Sequence, residues 1–338
     1  MSPRQESRMT AESHLEQMPE EEDPLTRELT GLGIRLRSGI AARDLTTVRV
    51  GGPIRALYQV PTIEAMQALM RHCGGGSRQI HGPQVLGAGS NSLFPDEGYA
   101  PPLLRLTGDF KNFSELKDGV FQVGGAVGLM RLARAVSEQG YSGLEFAGGI
   151  PASFGGAIFM NAGAHGGEIG HVIRSVRAVL PDGELCSFSP EQLQFRYRAC
   201  TLPEGAVIVD AVIDLVKGNL HRVRESLTRN LEYRKQTQPL SLPSFGSTFR
   251  NPKIDTEYST TCQSAGELIE RAGLKGRVSG GAEVSSLHAN WIVNPSRAAT
   301  TADIRCLMGE MVRKVGEMSG IALKPEVVDW GKQVRSEI

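Results

Sequence analysis

The chain has 338 residues, with 37 basic and 37 acidic side chains, so its formal net charge is zero and nothing in it favours nucleic acid or an anionic membrane surface as partner. Five cysteines, Cys73, Cys186, Cys200, Cys262 and Cys306, are scattered without a CxxC pair, which argues against a disulfide framework or a zinc site and for reduced thiols in a cytoplasmic protein. No apolar run approaches the roughly 18–20 residues of a membrane span, so no membrane insertion is expected.

Residues 1–24 are polar and end in Glu20-Glu21-Glu22-Asp23-Pro24, the composition of a disordered extension. From Leu45 the texture changes to short apolar runs cut by glycine and proline: RALYQVP, QVLGAGS, PLLRL and VFQVGGA read as strands of a mixed α/β domain. Helices are expected at 63–72 and at 129–139, where Leu129, Leu132, Ala133 and Val136 share one face. A ribbon follows at 172–188, turning at Pro181-Asp182-Gly183, and then a long strand at 206–216. A new unit is expected from about 219, opening with an amphipathic helix that carries Val223, Leu227 and Leu231. Ser264 and Glu267 form a capping-box pattern before Leu268 and Ile269, with Gly273 as the stop. Residues 302–319 give a helix with Ile304, Leu307, Met308, Met311, Val312 and Val315 on one stripe, and the apolar, extended IALKPEVVDWG follows, with Glu326 inside it.

Two glycine-rich stretches stand out. Residues 148–167, GGIPASFGGAIFMNAGAHGG, hold seven glycines and four alanines with almost no charge. Such small residues let main chain lie directly against a large flat or phosphorylated ligand; a tight glycine turn between strands is the simpler alternative. Upstream, Gly87-Ala88-Gly89-Ser90-Asn91 follows the strand-like QVL, leaving amides free to converge on a pyrophosphate. The loop departs from the GxGxxG fingerprint because Leu93-Phe94-Pro95 intervenes where a helix would start. A Rossmann fold is therefore not expected, while a dinucleotide held by another loop arrangement is.

In one order the chain carries TTVRVGGP (46–53), LGAGSN (86–91), LEFAGGIPASFGGAIFMNAGAHGGE (144–168), YR (197–198), PSFGSTFRNP (243–252), AGLKG (272–276), GGAEVSSLHANWIVN (280–294) and PEV (325–327). This series resembles the UDP-N-acetylenolpyruvoylglucosamine reductases, the MurB family of peptidoglycan synthesis, over roughly residues 25–331. The resemblance implies an α+β fold: a mixed α/β FAD-binding domain of the PCMH (vanillyl-alcohol-oxidase-like) type in two subdomains over 25–218, plus a smaller α/β substrate-binding domain over 219–320. A segment at 321–338 would return to the active site. It implies that NADPH reduces noncovalently bound FAD, that hydride passes from flavin N5 to the enolpyruvyl C3 of a UDP-sugar, and that a protein acid protonates C2 to give UDP-N-acetylmuramate. Hydride addition leaves enolate-like charge, which needs preorganised donors.

What the resemblance implies for single residues follows from position. Arg198 would bind the substrate carboxylate, Ser247 would donate the proton to C2, and Glu326 would complete the charge and proton network. Cofactor contacts would come from Arg49, Val50, Gly51 and Gly52, from Gly87, Ala88, Gly89, Ser90 and Asn91, and from Gly149, Ile150, Pro151, Ser153, Gly155, Gly156 and Asn161. Ile150, Pro151 and Asn161 would line the isoalloxazine. The substrate side would comprise Tyr197, Arg234, Asn251, Lys275, His288 and Asn290. No metal is implied. His165 and Ala152 stand where the family commonly has tyrosine and glycine. Only 48 residues separate Arg198 from Ser247, as in the shorter second type of the family, so the tyrosine-bearing insert of the longer type has no counterpart. Oligomeric state is not specified, and a monomer is compatible with the sequence. Read without the family, the same residues allow another FAD oxidoreductase on a like domain, or a non-catalytic flavin or nucleotide-sugar binder.

Overall fold

A computed structural model describes residues 24–74, 84–255, 260–262 and 264–333. The expected N-terminal extension lies outside these residues apart from Pro24, which begins a helix Pro24–Gly31 that the sequence pattern had not marked. Three sheets organise the chain. The first has the order Arg35–Arg37, Leu57–Val60, Leu103–Leu106, Gln84–Val85, with Leu57–Val60 and Gln84–Val85 both parallel to Leu103–Leu106. The second is antiparallel and runs Leu185–Phe188, Ile173–Val179, Val207–Asp214, Val120–Gly124, Phe113–Lys117. The third joins Ser244–Ser247, Trp291–Val293, Ala282–Val284 and Val278–Ser279.

These elements follow the periodicity of the chain. Val207–Asp214 is buried at nearly every position because it is a central strand covered on both faces. Helix Leu129–Glu138 buries Leu129, Leu132, Ala133 and Val136 at the expected spacing. Thr301–Ser319 starts at a reciprocal Thr300–Asp303 capping box and buries Ile304, Leu307, Met308, Met311 and Val315, with Val312 at the exposed margin. Only half of the expected box forms at Ser264, whose hydroxyl accepts from the Glu267 amide.

The helix Leu220–Thr237 departs from the expected unit boundary. Its buried Val223 and Leu227 pack on the helix Leu129–Glu138 and the turn Glu145–Ala147, not on the C-terminal sheet. The amphipathic stripe shows that one face is covered but does not say by what. That stripe ends on Arg234, buried as deeply as the apolar residues before it.

The C-terminal segment packs against residues that follow the Gly87–Asn91 loop. Val328–Asp329 pairs in parallel with Ser92–Leu93, and Trp330 stacks on Phe94 with ring centroids 4.8 Å apart while Tyr99 meets both rings edge-on. Arg305 holds Asp329 through two hydrogen bonds of 2.9 and 2.6 Å. Phe94 has no exposed surface, so Phe94→Ala should cost about 3–5 kcal/mol through lost burial and the cavity left behind. Urea unfolding measures this, and an unmoved midpoint would mean the stack does not anchor the segment.

Candidate active site

Backbone geometry gathers the site before any side chain acts. Among the described residues, the amides of Gly87, Ala88, Gly89, Ser90 and Asn91 donate no hydrogen bond to the chain. Gly89 lies at φ +70°, and a β-carbon there would overlap the Leu45 carbonyl, so the loop is pressed onto the segment before Arg49–Gly52. The Gly89 carbonyl accepts from the Thr47 amide at 3.1 Å, and Arg105 donates to the Gly87 carbonyl at 3.2 Å. Gly87 also abuts the Ser153 hydroxyl, which caps the short helix Phe154–Phe159, so the upstream loop meets the second glycine-rich stretch.

Non-glycine residues with positive φ concentrate in the same stretches: Arg49 at 63°, Asn161 at 39°, His165 at 52° and Arg198 at 57°. Such conformations persist only where neighbours over-determine them. For Arg198 the mutual bonds between the backbones of Arg196 and Ala199, 2.9 and 3.1 Å, close a turn with Tyr197 and Arg198 at its tip. Asn161, 1% exposed, donates to the Arg196 carbonyl at 3.0 Å and accepts from the Gly170 amide at 3.0 Å. Its side chain therefore fixes that turn, and only its backbone is left to face a ligand.

From this turn Arg198 reaches Glu326 through an Nε–Oε1 bond of 2.7 Å and the Gly163 carbonyl at 3.3 Å. Both side chains are largely buried, at 21% and 14% exposed. Glu326 is held from two further sides. Its amide donates to the Thr248 carbonyl at 2.9 Å, and its carbonyl accepts from Asn91 Nδ2 at 3.1 Å. The flavin-loop candidate Asn91 thus holds the backbone of a catalytic candidate. Ser247 is the residue before Thr248, and among the described residues its hydroxyl makes no hydrogen bond.

A cavity of about 450 Å³ opens beside this junction, lined among others by Phe159, Met160, Arg198, Arg250 and Glu326. Burial raises the Glu326 carboxyl above its ordinary range, and Arg198 and then Arg250 only partly oppose the rise. Among the described residues, the buried Nε of Arg250 and the hydroxyl of Thr248 have no hydrogen-bond partner.

The remaining expected residues divide by what already engages them. Asn290, 3% exposed, bonds both the amide and the carbonyl of Phe249 with its side chain, so it clamps the strand after Ser247. Asn251 accepts from the Ala265 amide, and its own amide donates to the Tyr197 hydroxyl at 3.4 Å. Lys275 pairs with Glu270 at 2.7 Å. His288 accepts from the Asn290 amide, and desolvation lowers its basicity. Arg234 has a buried, unpaired Nε and lies against Gly149, where a β-carbon would come within 2.6 Å of its Cδ. His165 packs edge-on against Tyr233, and burial, then Arg234, lowers its basicity. Of the expected cofactor residues, Val50 is buried in the C-terminal core and the Gly52 amide is committed to the Pro95 carbonyl. Ile150 is bonded to Ala147, and Pro151 and Gly156 are exposed.

Sequence reading missed Arg250, Asn294 and Arg105. Asn294 is fully buried and joins the Val48 carbonyl at 3.1 Å to the Ala299 amide, tying the segment at Arg49–Gly52 to the C-terminal unit. The only signal was their place inside the quoted strings, where they read as ordinary loop or strand residues.

Among the described residues, unclaimed loop amides, a buried Arg234 Nε without a partner beside Gly149, and close main-chain approaches fit a dinucleotide carrying a flat ring and a pyrophosphate. A family model described as an FAD binding domain matches residues 54–189, and one described as the C-terminal domain of UDP-N-acetylenolpyruvoylglucosamine reductase matches 238–330. The chain is thus of the class that joins an FAD-binding domain to a distinct C-terminal domain. It is 35% identical over 291 residues to UDP-N-acetylenolpyruvoylglucosamine reductase of Anoxybacillus flavithermus, covering 85% of this chain and 92% of that one. It is 38% identical over 304 residues to the enzyme of that name from Myxococcus xanthus, covering 88% and 93%. The crystal structure of UDP-N-acetylenolpyruvylglucosamine reductase from Thermus caldophilus superposes with a TM-score of 0.73 at 33% identity, covering 88% of this chain and 99% of that one. The chain belongs to the UDP-N-acetylenolpyruvoylglucosamine reductase (MurB) family.

Because the folded state holds the Glu326 proton more tightly than the unfolded chain, the contribution of that group to stability is complete below the ordinary carboxylate pKa. It is lost as pH rises through the raised folded value. Glu326→Gln should therefore gain stability relative to the parent between about pH 5 and about pH 8, read as urea midpoints. A drift in the parent's favour would show that pairing with Arg198 outweighs burial.

Proposed function

We propose that this protein reduces the enolpyruvyl group of UDP-N-acetylglucosamine enolpyruvate to UDP-N-acetylmuramate for peptidoglycan precursor synthesis, using FAD and NADPH. The observation that carries the reading is the Arg198–Glu326 pair, set beside the strand of Ser247 in a chain of this family. When bound, FAD supplies to the enolpyruvyl C3 a hydride drawn from NADPH. The protein binds the dinucleotide noncovalently through the loops at Arg49–Gly52 and Gly87–Asn91 and the stretch Gly149–Asn161.

Arg198 has five N–H donors, of which two are engaged, so donors remain for both oxygens of the substrate carboxylate as charge develops. It cannot lose its proton at working pH, and it stays a fixed positive charge throughout. Ser247 Oγ, free of other partners, gives its proton to C2. Glu326 keeps Arg198 aimed and, with its raised carboxyl, completes the proton network at the mouth of the serine strand. Residues 25–218 hold the cofactor in this assignment. The substrate unit was expected over 219–320, but its first helix packs on the cofactor side. Residues 321–338 carry Glu326 back into the site.

The substrate is a small UDP-sugar with no nucleic acid as partner, and a monomer is compatible with this assignment. No described helix is long and apolar enough to cross a membrane. Cys73, Cys186, Cys200 and Cys306 are free, in keeping with a cytoplasmic enzyme.

The direct test is anaerobic addition of UDP-N-acetylglucosamine enolpyruvate to the yellow protein with NADPH, which should oxidise NADPH stoichiometrically. Prompt reoxidation by oxygen with no turnover of the enolpyruvyl sugar would replace this reading with that of another flavin oxidase. For Ser247→Ala, NADPH-dependent bleaching of the flavin should stay near the parent rate, while its recovery on adding substrate slows by about a hundredfold or more. Equal loss of both half-reactions would remove the serine from the role of proton donor.

A further inference from the structure

We propose that Arg250 is a second substrate-binding guanidinium, which receives the substrate carboxylate together with Arg198. The inference rests on the reading of the site given above and extends it to a residue that reading does not use.

The charges lining the cavity are unequal. Arg198 is paired with Glu326, and Asp329 is taken by Arg305, which approaches from outside the cavity lining. Arg250 and Lys332 line the same cavity, and among the described residues no carboxylate lies within ion-pair distance of either; Lys332 is exposed to solvent, whereas Arg250 is half-buried. Its Nε is buried without an acceptor. A guanidinium cannot shed its charge, so taking its Nε out of water without an acceptor is unfavourable, and an incoming anion lessens the cost.

Position selects which anion. The Arg250 amide donates to the Lys324 carbonyl at 2.9 Å, and Phe249 bridges Pro325, so the chain that carries Ser247 runs beside the chain that carries Glu326. Arg250 therefore leaves the backbone three residues after the proposed proton donor, within electrostatic reach of Glu326. The substrate has two anionic parts, a diphosphate and a carboxylate, and only the carboxylate belongs to the reacting end. Its two oxygens also match the planar fork that a guanidinium presents.

The test compares two nucleotide sugars that differ at the lactyl carboxylate. The FAD-loaded parent, Arg250→Gln and Arg250→Lys are titrated with UDP-N-acetylmuramate and with UDP-N-acetylglucosamine, following the flavin spectrum or the heat of binding. Arg250→Gln should weaken UDP-N-acetylmuramate by about tenfold or more and leave UDP-N-acetylglucosamine within about twofold, with Arg250→Lys intermediate. Equal weakening of both ligands would place Arg250 on the diphosphate or make it structural, and unchanged affinities would remove it from the site; either result overturns the proposal. Flavin content reports folding, and the charge-retaining Arg250→Lys carries the comparison if Arg250→Gln loses its flavin. A parent protein that does not prefer the carboxylate-bearing ligand would count against the proposed function itself, which separates the two failures.

Discussion

The site depends on one ion pair, Arg198 with Glu326, made between residues 128 positions apart in the chain. A pair this buried is not a source of stability by default, since removing both charges from water offsets much of their attraction. It persists because each partner is fixed independently. A strained turn held by Asn161 presents Arg198. A segment bonded to Thr248 on one side and Asn91 on the other presents Glu326. The pair is therefore the meeting point of the second glycine-rich stretch, the first glycine loop and the serine strand. These three stretches are thereby locked together beside one cavity.

The same logic gives the small residues their use. Close approach of Gly87 to Ser153, of Gly89 to Leu45 and of Gly149 to Arg234 leaves no room for side chains. It lets main chain do the binding, while buried asparagines do the holding. Asn161 and Asn290 each satisfy two backbone groups elsewhere in the chain and Asn294 three, a role for which an amide with one donor end and one acceptor end is suited. Arg250 is the opposite case, a half-buried cation whose buried Nε has no partner among the described residues.

Much of this was legible beforehand. Short apolar runs located the strands Leu57–Val60 and Val207–Asp214, and period-3.6 patterns located the helices Leu129–Glu138 and Thr301–Ser319, because burial alone sets these local patterns. The glycine-rich stretches pointed to a ligand for a sound reason, unusual main-chain approach. What stayed hidden was set by long-range contact. No local pattern says that Leu220–Thr237 packs backward onto Leu129–Glu138, that arginines at 49 and 198 adopt positive φ, or that Asn290 serves Phe249. Arg250 reads in FRNP as a loop charge, and only the fold half-buries it at the cavity with no anion beside it among the described residues.

If the Arg198–Glu326 pair is the element on which the chemistry depends, its two members must act as one. The measurement is a double-mutant cycle of Arg198→Met and Glu326→Gln on the rate at which the NADPH-reduced, FAD-loaded protein is reoxidised by UDP-N-acetylglucosamine enolpyruvate. The account predicts strong coupling, with the double variant within about threefold of the slower single variant. Single effects that multiply in the double variant would show two independent residues and contradict it.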